Sequence, residues 1–124
     1  MQYFLTMPHD SAEEPTMESM QAQDPEAFAA IIAEVEAFNA ALVAADVLRF
    51  AGGLQPPSTA KTVDATGEQP EVAHAPFVEA SSYVGGFWVI ETDTEEEAVR
   101  WATRASAAVQ SRIEVRALQE APPA

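Results

Sequence analysis

The sequence of 124 residues predicts a single α+β domain in which two helices cover one face of a mostly antiparallel sheet. Three observations support this prediction. Stretches of alternating apolar and polar residues, typical of strands, occur near both ends and in the middle of the chain. Two stretches with apolar residues at helical spacing lie between them. Cysteine is absent, so the fold must be held by one apolar core without disulfides.

The first strand is predicted over residues 2–7, because Tyr3, Leu5 and Met7 would lie on one side of a strand and the intervening residues on the other. Because proline cannot donate a backbone hydrogen bond, Pro8 is expected to end this strand. Residues 9–23 are polar, acidic and rich in methionine, and they are predicted to form a mobile loop or a broken helical turn.

The long helix is predicted over residues 24–45. Asp24 can accept hydrogen bonds from the free amides of the first turn, and Pro25 suits the first helical position. Apolar side chains then recur at the spacing of one buried helical face. They are Phe28, Ile31, Ile32, Val35, Phe38 and Leu42.

Two β segments follow the long helix. Residues 47–51 predict the second strand, which Gly52-Gly53 is expected to break. Residues 61–66 and 70–73 flank a glycine and predict a short, solvated hairpin. A further strand of the main sheet is predicted over residues 86–91.

The last helix begins at a capping box, in which Thr94 is the N-cap and Glu97 follows three residues later. The acidic residues around it are explained by the helix dipole and are assigned no metal role. Residues 113–117 alternate and predict the last strand. The domain is therefore expected to span residues 1–118, with residues 119–124 as a flexible tail.

The order of strand, helix, strand, hairpin, strand, helix and strand predicts a ferredoxin-like split βαβ fold. One strand, Phe87-Trp88-Val89-Ile90, is apolar on both faces, whereas two helices can cover only one face of the sheet. A large uncovered apolar face is unusual for a monomer. We therefore expect a homodimer that is closed sheet to sheet.

Charge limits the classes of partner. The chain has 20 acidic and 6 basic residues, and its formal net charge is -14. Such a field repels phosphate, so neither nucleic acid nor an anionic membrane is an expected partner. The chain shows neither an unbroken apolar run of membrane length nor a basic start followed by an apolar region. A cytoplasmic location is the default expectation.

Three stretches, in this order, resemble the YCII-related proteins, in particular the branch with a DGPF motif. They are Gly52-Gly53-Leu54-Gln55-Pro56, Ala75-Pro76-Phe77-Val78-Glu79 and Gly85-Gly86-Phe87-Trp88-Val89-Ile90. The resemblance covers about residues 1–118. It implies a dimeric α+β barrel of ferredoxin-like subunits with a pocket near the sheet and the motif loop.

The resemblance also suggests what such proteins do. A few relatives are similar to lyases, including a dehydrochlorinase of chlorinated hydroquinones, and many DGPF relatives are encoded beside extracytoplasmic-function sigma factors. This chain departs from the motif, since His74 and Ala75 replace its Asp and Gly. The predicted long helix contains no histidine, so the Asp-His pair of YCII proteins proper cannot be transferred to it.

The two histidines are the only side chains whose ordinary pKa lies near neutrality. His74 in the motif loop is the best candidate for proton transfer, with Glu79 as the nearest carboxylate that could orient it. Alternatively, His74 is a solvated loop residue. His9 follows the first strand, and Asp10 beside it could set the imidazole tautomer, although a surface loop without function is the more frequent outcome for such a pair.

A ligand site is expected to combine apolar rings with polar tips. Four aromatic residues are candidates to line it: Tyr3, Phe77, Tyr83 and Trp88. The alternative for Trp88 is packing in the core or at the dimer interface. The histidine spacing fits no metal site, and we expect neither a metal nor another cofactor.

Two functions remain open from the sequence. The first is a homodimer that binds a small, aromatic or polyketide-like molecule in an apolar cleft, with lyase-type acid-base chemistry at His74. The second is a non-enzymatic accessory or regulatory dimer whose acidic surface meets a basic protein such as a sigma factor.

Overall fold

The computed structural model describes residues 1–10 and 17–120. The strands are β1 (Gln2–His9), β2 (Leu48–Gly53), β3 (Thr62–Asp64), β4 (Glu71–Ala73), β5 (Tyr83–Glu91) and β6 (Glu114–Ala117). The helices are α1 (Met17–Gln23), α2 (Pro25–Ala44) and α3 (Glu95–Val109), with a short 3-10 turn at Pro57–Thr59.

The main sheet has the strand order β2-β5-β1-β6, and every neighbouring pair is antiparallel. This is the order of a ferredoxin-like α+β fold, so the predicted fold class is confirmed. The predicted hairpin is also present, and its strands β3 and β4 pair with each other as a separate two-stranded sheet.

Two predicted strand ends are wrong. β1 continues through Pro8 to His9. On the edge of β1 that Pro8 faces, β6 pairs only with Tyr3 to Thr6, so the missing N–H of Pro8 costs no hydrogen bond to any described strand. β2 likewise continues through Gly52 and Gly53, which lie opposite Phe87 and Gly86 of β5. In both places the neighbouring strand decides the outcome, rather than the local propensity of the residue.

The predicted helix starts are confirmed by their caps. Asp24 accepts a hydrogen bond from the Ala27 amide at 3.1 Å, and Thr94 accepts one from the Glu97 amide at 3.2 Å. Of the two alternatives for residues 9–23, the helical one applies to the described part, which contains α1, while residues 11–16 lie outside the described part of the chain. Residues 121–124 of the predicted tail lie outside it as well.

The core lies between the sheet and the helices α2 and α3. Four sheet residues, Tyr3, Leu5, Trp88 and Ile90, pack against Phe38, Leu42 and the alanines of α3. Phe38 meets the Trp88 ring edge-on at 5.5 Å between centroids. The buried residues of α3 are all alanines, and their small side chains allow this helix to lie close to the sheet.

The buried face of α2 is narrower than predicted, since only Phe38 and Leu42 are fully buried. Ile31 is 37% exposed, and the remaining predicted positions are half-buried. By length and composition alone, α2 is also long and apolar enough to cross a membrane. This property was not predicted, because the sequence contains no unbroken apolar run of that length. In this fold it instead packs with α3 over the sheet.

Candidate functional site

The candidate residues lie in three separate places. Tyr3 and Trp88 belong to the core, with 4% and 5% of their surface exposed. The indole N–H of Trp88 donates to Asn39 Oδ1 at 2.8 Å, so its polar tip already has a partner. In the single chain these two rings therefore build the interior, as the alternative interpretation of Trp88 expected.

The motif loop between β4 and β5 holds three other candidates on the surface. His74 and Glu79 are exposed, and no hydrogen bond or ion pair joins them in the described part of the chain. Phe77 is 89% exposed. The loop is fixed at its ends, because the Thr62 hydroxyl donates to the Ala75 carbonyl and the Tyr83 hydroxyl accepts from the Ala80 amide, both at 2.8 Å.

The sheet face away from the helices carries an aromatic cluster of Phe4, Phe50 and Phe87. The Phe87 ring lies 5.5 Å from Phe4 and 5.8 Å from Phe50, and it is nearly parallel to the latter. These residues alternate along their strands with the core residues, so they project from the opposite face. Phe50 remains 62% exposed. We call this surface the open face.

A cleft of about 360 Å³ lies at the end of the sheet where β1 finishes and β5 begins. Its lining residues are Thr6, Pro8, Ser82, Tyr83, Val84, Arg112, Ile113 and Glu114. Thr6 connects this strand-end cleft to the aromatic cluster, because it lies directly opposite Phe87 in the β1–β5 register. Of the candidates, only Tyr83 lines the cleft.

An ion pair closes one side of this cleft. Arg112 donates through both terminal nitrogens to Asp10, at 2.6 and 2.8 Å, and one of them also lies 3.5 Å from the Ser82 hydroxyl. The hydrogen bond from Arg112, assisted by Ser82, lowers the pKa of the Asp10 carboxyl, and the same contact raises the pKa of Arg112. Both oxygens of Asp10 thus accept hydrogen bonds from Arg112, and no hydrogen bond joins Asp10 to His9 among the described residues.

His9 is fixed by a bulge in the neighbouring strand. Met7 pairs with Gly86 and Pro8 with Val84, which leaves Gly85 as an extra residue on β5. A Cβ at Gly85 would overlap Cδ2 and Nε2 of the His9 ring, so only glycine admits the imidazole there. Within residues 1–10 and 17–120, His9 Nδ1 is buried and has no hydrogen-bond partner. The periodicity of β1 places His9 on the helix side of the sheet, and His9 is not among the residues that line the cleft.

Sequence reasoning missed the residues that shape the cleft. Arg112 lies 102 positions from its partner Asp10, and neither a motif nor a periodicity connects the two. The open-face aromatics were detectable in part, because Phe87 and Val89 belong to the strand that is apolar on both faces. No group of three or more His, Asp or Glu side chains among the described residues could hold a metal ion.

The fold and this site define a ferredoxin-like α+β domain with one uncovered aromatic sheet face and a small cleft at its edge. A comparison with protein families matches the YCII-related domain over residues 1–121. The chain therefore belongs to the YCII-related family, as its motifs indicate. A search of the curated proteins finds no match.

We expect Gly85→Ala to destabilise the fold by about 1–3 kcal/mol, because the added methyl group must displace the His9 ring from a packed position. In a His9→Ala background the same change should cost much less, and urea unfolding of the four proteins measures this coupling. Gly67→Ala is the control, since a Cβ there meets nothing within 4 Å. An equal loss of unfolding free energy from Gly85→Ala in both backgrounds would show that the His9 ring does not fill the space beside Gly85.

The Asp10 titration should depend on Arg112. Because the folded-state pKa of Asp10 is depressed, the ion pair stabilises the fold above the ordinary carboxyl pKa, and this contribution disappears as pH falls through the depressed value. Carboxyl NMR titration of an Arg112→Met variant should show the pKa of Asp10 rising toward its ordinary value.

Asp64 is the internal control, because its pKa is lowered by hydrogen bonds from Thr66 and should be the same in both proteins. A pKa of Asp10 that is unchanged by Arg112→Met would contradict the ion pair.

Proposed function

We propose that this protein is a homodimer that binds a small, largely apolar molecule in the strand-end cleft, where a second copy covers the open face. The proposal rests on the aromatic cluster of Phe4, Phe50 and Phe87, which lies on a sheet face that none of the described helices covers. An apolar surface of this kind is favourable in water only when another surface covers it. A second copy offers the same surface, and twofold pairing is the commonest form of assembly.

The cleft supports a binding role. Its volume of about 360 Å³ is at the lower end of the range found for small-molecule sites. Pro8, Val84 and Ile113 supply apolar walls, while the side chains of Thr6 and Ser82 supply hydroxyl groups. Because Thr6 lies opposite Phe87, a copy placed over the aromatic cluster would also limit access of water to the cleft.

Proton transfer is left out of this proposal. His74 lies on the exposed motif loop and has no bond to Glu79, and His9 has no bond to Asp10, within the described residues. An imidazole that acts as a general base ordinarily needs a partner that orients it and fixes its tautomer. The lyase-type chemistry implied by the family resemblance therefore has no supporting pair of groups among residues 1–10 and 17–120.

A second candidate is the accessory dimer that meets a basic protein, and the net charge of -14 favours it. Such a complex would form through long-range attraction, so its affinity should fall steeply between low and high salt. Capture of a partner at both ionic strengths measures this dependence. A complex of equal affinity in both would contradict an interaction through the acidic surface.

For the first candidate, we expect native mass spectrometry of the gently purified protein to show a dimer with an additional small-molecule mass. Phe50→Arg should yield a monomer without that mass, because it places a charge within the aromatic cluster. Val43→Arg is the matched control, since Val43 is similarly exposed, at 64% against 62%, but lies on α2. A wild-type monomer, or an equal loss of dimer in both variants, would contradict the proposal.

A further inference from the structure

We infer that the strand-end cleft selects a ligand with a positive charge, and that Glu114 is the residue that binds it. This inference rests on the proposed binding function and adds the chemical class of the ligand: a single-ring or similarly sized apolar amine. The charged residues that line the cleft are Arg112 and Glu114, and they differ in the partners they already have.

The positive group of the cleft is neutralised within the protein. Arg112 directs both terminal nitrogens to Asp10, and the short, paired geometry is that of a charge-assisted bidentate contact. A ligand carboxylate or phosphate would have to displace Asp10 from Arg112. Because Asp10 belongs to the same chain as Arg112, it is always present to compete with such a ligand. Arg112 is therefore a poor receptor for an anion.

The negative group of the cleft is not neutralised. Glu114 lines the cleft on β6, and its carboxylate makes neither a hydrogen bond nor an ion pair with any residue that the structure describes. Arg116 is the next residue on that side of β6, but it lies opposite Phe4 rather than Thr6 and forms no ion pair with Glu114. Among the described residues of the cleft the Asp10–Arg112 pair sums to zero, so Glu114 adds one negative charge that no partner balances.

The neighbours of Glu114 complete a receptor for an ammonium group. Thr6 is its direct partner in the β1–β6 register and also lines the cleft, so the two side chains project from the same face of the sheet. An ammonium group has three donors and can use both the carboxylate and the hydroxyl oxygen as acceptors. The apolar body of the ligand would lie against Pro8, Val84 and Ile113. The net charge of -14 acts in the same direction, since it attracts cations to the whole surface.

Three probes of equal size and different charge test this inference: benzylamine, benzyl alcohol and benzoate. Each is titrated into the full-length protein at fixed ionic strength, and the amide NMR signals of Thr6, Val84 and Glu114 report binding in the cleft. We expect benzylamine to bind about tenfold more tightly than benzyl alcohol, in line with a charge-assisted hydrogen bond, and benzoate to bind most weakly.

Glu114→Gln should reduce the preference for benzylamine over benzyl alcohol to within about twofold. Glu36→Gln is the matched control, because it removes the same charge from an exposed position on α2 and should keep the preference. If the alcohol or benzoate binds in the cleft as tightly as the amine, or if Glu36→Gln has the same effect as Glu114→Gln, the inference is overturned while the binding function stands. If none of the probes shifts these amides, both are overturned.

Discussion

The architecture depends on one constraint: the central strand β5 is apolar on both faces, and the helices of the domain can cover only one of them. Trp88 and Ile90 face the helices and form the core with Tyr3 and Leu5. Phe87 is the neighbour of Trp88 in β5, so it projects from the open face, where its ring contacts Phe4 and Phe50. Since side chains alternate along a strand, a shift of one residue in the register would exchange these two sets. The pairing of β5 therefore fixes both the core and the surface that we propose for dimerisation.

Two of the six positive charges lie at opposite ends of the sheet. Arg49 of β2 donates to Glu91 of β5 at 2.9 Å, and Arg112 joins the segment before β6 to Asp10 after β1. In a chain with 20 acidic and only 6 basic residues, such pairs reduce repulsion between strands at their ends. Both pairs are exposed, so each contributes little to stability by itself. Their larger effect is to decide which carboxylates of the surface remain available to a partner or a ligand.

The sequence predicted the elements well where the signal is local. The strand periodicities and the caps at Asp24 and Thr94 depend on residues a few positions apart, and the structure confirms them. The periodicity of α2 predicted the helix but also a wider buried face than the structure has. The strand ends at Pro8 and at Gly52-Gly53 could not be predicted in this way. Their outcome depends on which edge of the strand has a neighbour, and this is a property of the assembled sheet.

The candidate site was less predictable for a related reason. Residues adjacent in sequence, such as His9 and Asp10, were expected to act together, but Asp10 forms its hydrogen bonds with a residue from the other end of the chain. Likewise, the space that His9 occupies is created by an extra glycine on β5. Such contacts follow from register and topology, so they become visible only after the sheet order is known.

The central claim is that a second copy of the chain covers the open face. The most direct measurement is an isotope-filtered NOE experiment on an equal mixture of labelled and unlabelled protein, which detects contacts between copies alone. We predict intermolecular NOEs from the rings of Phe4, Phe50 and Phe87. Intermolecular NOEs that arise only from α2 and α3, or none at all in a protein of monomeric mass, would contradict the account.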